Sequence, residues 1–422
     1  MLSSGKGASA GDQTDGLIRN LSLYLHYEFF FCSFFWLPVF FLYFNSKMPL
    51  ASVLRLEAVY YAAVVLIEVP SGWFSDTFGR RLTLIVSTVA LTLGYLLFFF
   101  GDNFATFAFA QVFLGVGFGF NSGTNVSFHF DSLKALNREA EFGARESRAN
   151  QIRFYSRAVT VLIGGVAGTW HLGLAYLLSA LTTIGALIAA WHFTEPPREA
   201  DEGDKRTGFL PQLAQCSRYL GRDDLRWVFV YVVTATVLGH VPYEFYQSYV
   251  QLLGSDLFGG IPTTLGTGIV AALTAIFGSV AAGLSPRVAR SLGIYRTLLM
   301  TTTMHLVIIG AMALVLNPLI LALIMMRNVP DLLADAPISG HIAPRVKRRH
   351  RATYLSLQSL AGRLAFSCGL ISLSWLGSDT TVADWPGLRR MLVASLLAGF
   401  LALAYLFRSR APAGVTVGSM PG

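Results

Sequence analysis

Long apolar runs constrain this chain more than any other feature of its sequence. A helix needs about 20 mostly apolar residues to cross a bilayer, and twelve runs of roughly that length follow one another. They cover residues 17–44, 50–71, 82–100, 104–130, 152–170, 173–193, 227–252, 267–284, 297–316, 318–339, 353–376 and 388–407. Backbone polar groups inside lipid have to be hydrogen-bonded within their own segment. The sequence therefore predicts an all-α integral membrane protein with twelve transmembrane helices.

Composition and charge placement support this prediction. Hydrophobic residues make up 54% of the 422 positions and charged residues only 13%, whereas a soluble domain carries about a quarter charged residues. The net charge of +8 comes mainly from the even-numbered connections between runs. The odd-numbered ones, with the edges of the adjoining runs, hold only Lys47, Arg55, Arg389 and Arg390. Positive residues stay on the cytoplasmic side, so we expect the cell inner membrane, both termini in the cytoplasm and no nucleic-acid partner.

The longest polar connection, residues 194–226, divides the runs into six plus six. We therefore predict two pseudo-symmetric six-helix bundles joined by a cytoplasmic linker, with a short surface helix around residues 210–220. The bundles would cover residues 17–193 and 227–407. Polar tails at 1–16 and 408–422 are predicted to be cytoplasmic, the first of them disordered.

Catalytic and metal-binding patterns are not evident in the sequence. The three cysteines, Cys32, Cys216 and Cys368, show neither disulfide nor metal-ligand spacing. His26 with Glu28 and His240 with Glu244 could suggest a metal site, but no further His or Cys is placed to complete it. No Ser/His/Asp arrangement or phosphate-binding glycine loop supports an enzyme. We expect no cofactor, no metal and no enzymatic activity.

The connection between the second and third runs carries the most specific motif. It spells G-x-x-x-D-x-x-G-R-R-x-x-L, with Gly72, Asp76, Gly79, Arg80 and Arg81 at the defined positions. The residues just before it, Glu-Val-Pro-Ser-Gly, begin at Glu68. Motif, run count, division into halves and orientation together resemble the major facilitator superfamily of transporters.

This resemblance implies alternating access and a cytoplasmic latch. Asp76 would cap the start of helix eleven near residues 351–353, and Arg80 would meet an acid at the inner end of helix four, for which Asp131 is in place. Glu68 would join this inner network, and Gly72 would allow close helix approach. The alternative is that Arg80 and Arg81 act only as positive-inside charges.

The resemblance also implies that helices one, four, seven and ten line the central path. Ionisable residues inside spans are costly and mark functional candidates. On these helices they are His26, Glu28, His240, Glu244, Arg327, Asp331 and Asp335. The last three are spaced four apart, so we expect Arg327 to neutralise Asp331 and Asp335 to be the freer acid.

Glu28 is the first candidate for proton coupling, because a desolvated carboxyl can take up a proton near neutral pH. The alternative is a structural ion pair with Arg157. For Asp331 the alternative is a structural role. For Glu244 the alternative is a position in a water-filled outer vestibule without a role in coupling. Candidate walls of the cavity combine aromatic and hydrogen-bonding groups: Tyr24, Tyr27, Phe31, Asn121, Asn125, Tyr243, Tyr246 and Gln247.

A cavity of aromatic rings with a few acids suits an organic cation or amphiphile. Together with the resemblance, this predicts a secondary transporter, a monomer in the bilayer, that exports a small organic molecule against protons. The alternative is uptake of a nutrient, organic acid or metal chelate, with Arg157, Arg327 or Arg363 meeting its negative groups. A membrane receptor or a lipid-modifying enzyme is a third class, without a supporting motif.

Overall fold

The computed structural model describes residues 10–197, 216–254, 260, 262–342, 344–346, 348–376 and 384–409. Every regular element within these ranges is helical, as predicted. The first eight α-helices are α1 (Ala10–Phe31), α2 (Phe40–Lys47), α3 (Leu50–Phe78), α4 (Arg80–Phe100), α5 (Phe104–Asn121), α6 (Thr124–Ala135), α7 (Phe142–Trp170) and α8 (Leu174–Trp191).

The remaining α-helices follow the connection between the halves. They are α9 (Asp223–Leu253), α10 (Thr263–Leu292), α11 (Ile294–Leu314), α12 (Ile320–Met325), α13 (Val329–Ile342), α14 (Arg348–Ser374) and α15 (Trp385–Arg408). Two short 3₁₀ turns, Glu139–Glu141 and Arg218–Gly221, precede α7 and α9. In the described part of the chain, eight helical segments are long and apolar enough to cross a membrane by length and composition alone.

Three predicted spans consist of two helices each. The first run divides into α1 and α2, and the tenth into α12 and α13. The fourth divides into α5 and α6 at Gly123, whose φ of 74° is a left-handed conformation that glycine adopts without steric cost. Helix α1 begins at Ala10, so residues 10–16 are helical where the sequence predicts disorder. Of the predicted helix at 210–220, only residues 216–220 are described; 216 and 217 are α-helical and a 3₁₀ turn follows from Arg218.

The first compact unit comprises residues 1–37 and 63–204. Within it α4 packs against α5 and α8, and α1 packs against α6, α7 and α8. Small residues permit this packing: a Cβ at Gly115 would lie 2.8 Å from the Cβ of Ala63, and one at Gly119 2.8 Å from Ile67. At Gly72, by contrast, no described atom lies within 4 Å of a Cβ. The expected close approach at Gly72 is not seen among the described side chains and stays a prediction.

The second compact unit comprises residues 38–62 and 205–422. Helix α9 packs against α11, α14 and α15, and α10 packs against α13. Side chains of this unit also bind the segment 38–62. The Thr267 hydroxyl donates to the carbonyl of Pro38 at 2.7 Å, and the Ser367 hydroxyl to that of Ala58 at 3.0 Å.

Candidate functional site

The connection between α3 and α4 has the geometry that its motif requires. Gly79 has a φ of 110°, which L side chains rarely adopt, so the turn needs glycine here. Arg80 Nη1 lies 3.0 Å from Asp76 Oδ1, and Arg80 Nε lies 3.4 Å from Asp131 Oδ2. The arginine thus lies between an acid of α3 and an acid of α6. The Ser75 hydroxyl accepts a further hydrogen bond from Arg80 at 2.8 Å.

A carboxylate that the sequence analysis missed completes this network. The two carboxylate oxygens of Glu195 accept hydrogen bonds from the backbone N–H groups of Arg80 and Arg81, both at 2.8 Å. Glu195 therefore caps the N-terminus of α4, where the helix dipole favours negative charge. The guanidinium of Arg81 donates to the carbonyl of Trp191 at 2.6 Å. These contacts give Arg81 a structural role in addition to its charge.

Two predictions for this motif concern Asp76 and Glu68. The proposed cap of helix eleven near residues 351–353 lies outside the described side chains. At the end of α3, the Ser71 hydroxyl donates to the backbone carbonyl of Glu68 at 3.0 Å. Helix α3 continues through Pro70 to Phe78, so the proline does not end it.

In the first unit, Glu28 lies in a polar cluster of α1, α6 and α7. Its side chain is 1% exposed. One carboxylate oxygen accepts from Asn125 Nδ2 at 2.7 Å, and the other accepts from Arg153 Nε at 2.6 Å. Arg153 also donates to the Tyr24 hydroxyl at 2.8 Å. Both oxygens of this buried carboxylate are therefore satisfied, as burial of a charge requires.

A second acid, Glu146, extends the cluster towards the start of α7. Its carboxylate lies 2.8 Å from Arg153 Nη1 and 2.8 Å from His129 Nδ1, and His129 stacks on Tyr24 with ring centroids 4.2 Å apart. Glu146 precedes the predicted fifth span. Burial acts to raise the pKa of Glu146, but the hydrogen bond with His129 and the charge of Arg153 outweigh it and lower that pKa. The cluster thus contains two acids, one arginine and one histidine.

The alternative of an ion pair between Glu28 and Arg157 is wrong, because Arg153 is the arginine that pairs with Glu28. Arg157 lies one helical turn beyond Arg153, and its guanidinium carbon lies over the ring of Phe34 at 4.9 Å from the centroid. The remaining candidates of the first unit form an adjoining aromatic group. The Tyr27 hydroxyl donates to Asn121 Oδ1 at 2.8 Å, and Tyr27 stacks on Phe31 at 5.5 Å between centroids.

The second unit contains a carboxyl group of a different kind. Glu244 on α9 has no exposed surface, and neither of its oxygens has a hydrogen-bond partner among the described residues. Glu244 is repelled electrostatically by a second acid, Glu57 of α3, which is 5% exposed. The sequence analysis did not select Glu57, although its charge in the middle of the second span was a sufficient signal.

The expected pairing of Arg327 with Asp331 is also wrong. Arg327 lies between α12 and α13, so the helical register that would align it with Asp331 is interrupted. It donates to the Thr274 hydroxyl at 2.7 Å, and its guanidinium lies 4.3 Å from the centroid of Tyr246. Asp331 instead lies 3.3 Å from His305 Nε2. Asp335, one turn further along α13, is exposed.

Two other candidates on α9 have structural partners. Gln247 is fully buried, and its Oε1 accepts hydrogen bonds from the backbone N–H groups of Phe41 and Leu42 at 3.0 and 3.3 Å. It therefore caps the start of α2. His240 Nδ1 lies 2.6 Å from the carbonyl of Thr236. Among the described residues, no group of three or more His, Cys, Asp or Glu side chains could hold a metal ion.

Comparison with known proteins identifies the family. The model of the Major Facilitator Superfamily matches residues 25–332, and the chain belongs to this superfamily of transporters. It is a multi-pass membrane protein with the superfamily fold. No curated protein sequence matches the chain.

Solved structures of transporters are similar in fold. A variant of the nucleoside transporter NupG has a TM-score of 0.78 and 10% identity, covering 92% of this chain and 100% of that chain. A bacterial homologue of the human lysosomal transporter Spinster has a TM-score of 0.67 and 12% identity, covering 98% and 100%. A variant of the peptide transporter POT has a TM-score of 0.65 and 14% identity, covering 94% and 95%. At these identities the similarity concerns the fold alone.

Proposed function

We propose that this protein is a proton-coupled secondary transporter that exports a small organic cation or amphiphile by alternating access. It would act as a monomer in the cell inner membrane with both termini in the cytoplasm. The contacts of Arg80 with Asp76 and Asp131 would form part of its cytoplasmic latch.

The observation that carries the coupling is the state of Glu244. An ionised carboxylate without a partner in an apolar interior costs several kcal/mol. Glu244 is fully buried, and neither oxygen has a described hydrogen-bond partner. A nearby negative charge, Glu57, increases the cost. The group therefore has to be neutralised, and a proton is the smallest cation that can enter. A change of state that exposes Glu244 to water would release this proton.

Glu28 is the weaker coupling candidate, because Arg153 and Asn125 already satisfy its carboxylate. A partly exposed acid of the second unit supports a cationic substrate. Asp331 retains 45% of its side-chain surface, and a carboxylate pairs with an organic cation.

The experiment is proton release from the purified protein in detergent. Four probes would be added in turn: the lipophilic cation tetraphenylphosphonium, uridine, a dipeptide and benzoate. We expect tetraphenylphosphonium to release protons from the wild type and not from Glu244→Gln, because the amide cannot carry the proton. Uptake by proteoliposomes, with the pH gradient imposed in either orientation, would then give the direction.

Two matched variants complete this test. Glu28→Gln should retain most of the proton release, because Glu28 is already ion-paired. Glu139→Gln changes an exposed acid outside the spans and should behave as the wild type. Release that persists in Glu244→Gln and disappears in Glu28→Gln would assign coupling to Glu28 instead. No proton release with any probe that binds would overturn proton coupling.

A second function is favoured by Arg327. Its side chain is 4% exposed, no described carboxylate forms an ion pair with it, and its Nε has no described hydrogen-bond partner. Such a cation could bind the carboxylate of an organic acid taken up by the cell. Benzoate binding that is lost in Arg327→Gln, together with no response to tetraphenylphosphonium, would support uptake of an anion.

A further inference from the structure

A buried histidine of the second unit lies behind a partly exposed acid. His305 on α11 has no exposed surface, and both ring nitrogens lack a hydrogen bond of good geometry to any described residue. Its Nε2 nevertheless lies 3.3 Å from Asp331 Oδ1. Burial of an imidazole without hydrogen bonds is costly, so this side chain requires a role beyond filling space.

A glycine of α9, Gly239, leaves room for the contact between Asp331 and His305. A Cβ at Gly239 would lie 2.7 Å from Asp331 Oδ2 and 3.2 Å from His305 Nε2. A larger residue would therefore force the Asp331 carboxylate to shift from its position beside the histidine. Gly239 of α9 thus allows Asp331 of α13 to reach His305 of α11, and three helices contribute to one small site.

Charged and titratable groups around this pair come from neighbouring helices. His240 of α9 interacts electrostatically with Asp331 of α13, with Arg363 of α14 and with His305. Tyr231 of α9 interacts electrostatically with both acids of α13, Asp331 and Asp335. Two acids are thus present, and Asp331 is the one in contact with the histidine. Its carboxylate is 45% exposed, so a ligand can reach it while His305 remains covered.

We propose that Asp331 and His305 form the site in the second unit that binds the cationic group of the substrate, with His305 as the positioning residue. The 3.3 Å contact with His305 Nε2 orients the carboxylate, and the exposed part of Asp331 pairs with an organic ammonium or phosphonium. This assignment rests on the proposed transport of a cationic molecule and names where that cation is held.

The test is carbodiimide labelling of Asp331 in the purified full-length protein, measured by mass spectrometry at one fixed pH. Carbodiimides react with protonated carboxyl groups. We expect His305→Leu to increase the labelling rate of Asp331, because the carboxylate is no longer held against the buried imidazole. Gly239→Ala should change the rate in the same direction, and His305→Gln, which keeps a polar group at this place, should restore most of the wild-type behaviour.

Tetraphenylphosphonium provides the ligand arm of the test. It should slow the labelling of Asp331 in the wild type and in His305→Gln, and protect much less in His305→Leu and Gly239→Ala. Gly340→Ala is the matched control, because it lies on the same helix as Asp331 and a Cβ there meets no described atom within 4 Å. If His305→Leu does not fold, the glycine pair and His305→Gln still decide the question.

The outcomes separate this site from the proposed coupling. An unchanged labelling rate in Gly239→Ala and in His305→Leu, or the same protection in these variants as in the wild type, would overturn the role of His305. Proton release by tetraphenylphosphonium without protection of Asp331 would overturn this site and leave the proposed function in place. Protection without proton release would support the site and overturn proton coupling.

Discussion

A single ion pair, Glu28 with Arg153, joins α1 to α7 inside the first unit. Removal of one partner of a buried pair leaves an uncompensated charge and costs about 3–5 kcal/mol. Arg153 is 19% exposed and Glu28 1%, so we expect Arg153→Met to lie near the lower end of that range. Thermal unfolding in detergent, followed by tryptophan fluorescence, would measure the loss.

The neighbouring arginine is the control for this prediction. Arg157 lies over the ring of Phe34, and such a contact contributes about 0.5–1 kcal/mol at a partly exposed site. Arg157→Met should therefore reduce stability much less than Arg153→Met. The double variant Glu28→Gln with Arg153→Met should regain part of the loss. Equal effects of the two arginine variants would contradict the assignment of Arg153 as the partner of Glu28.

Gly164 on α7 leads to a second prediction at the residue scale. A Cβ at this position would collide with the backbone carbonyl of Phe35, which has no flexible end that could move aside. Overpacking of this kind costs about 1–3 kcal/mol, so Gly164→Ala should lower the unfolding temperature. Gly143→Ala on the same helix meets no described atom within 4 Å and should be neutral or slightly stabilising. A fully stable Gly164→Ala would mean that the turn after α1, at Phe35, lies further from α7.

At the scale of elements, α4 depends on an acid distant in sequence. Glu195 caps its first backbone N–H groups from the segment that follows α8. Loss of a helix cap costs about 0.5–2 kcal/mol. We expect Glu195→Ala to destabilise the protein by this amount, as measured by thermal unfolding. Glu195→Gln should lose less, because its amide oxygen can still accept one hydrogen bond.

The control for this cap is an exposed acid that caps no helix. Glu139 lies in the 3₁₀ turn before α7, and Glu139→Ala should leave the unfolding temperature unchanged. Hydrogen exchange at the first turn of α4 should increase in Glu195→Ala and not in Glu139→Ala. Exchange that does not change in either variant would show that the cap contributes little.

Helix breaks explain the wrong expectations at this scale. The pairing of Arg327 with Asp331 assumed one continuous tenth helix, but the chain interrupts it between Met325 and Val329. Residues four apart then no longer share a face. Hydropathy does not locate the break after α1, where the apolar run continues, but Arg327 and Asn328 interrupt the apolar run at this one. The break at Gly123 was easier to predict from the sequence, because glycine is the residue that a left-handed backbone conformation favours.

At the scale of the whole molecule, the placement of Lys and Arg predicts orientation. We expect Asp102→Cys, between α4 and α5, to react with a membrane-impermeant maleimide in intact cells. Glu139→Cys, between α6 and α7, should react only after permeabilisation. Both positions are exposed, so access from the correct side is the variable that differs. Mass-tag labelling on gels would report the reaction.

Native cysteines have to be replaced for this experiment. Cys32 and Cys216 are buried, but Cys368 is exposed and would react on its own. The variant that lacks the native cysteines and carries neither Asp102→Cys nor Glu139→Cys should show no labelling from either side. Labelling of Glu139→Cys from outside, with Asp102→Cys protected, would reverse the orientation.

The sequence by itself determined the helical class, the superfamily and the latch motif. These depend on run length, on composition and on residues close together in the chain, such as Asp76, Gly79 and Arg80. Only the tertiary structure decided which distant charges meet. Glu28 could pair with either of two arginines one turn apart, and the approach of α1 to α7 selects Arg153. The same holds for Asp331, because its partner His305 comes from another helix and Gly239 of a third makes room for it.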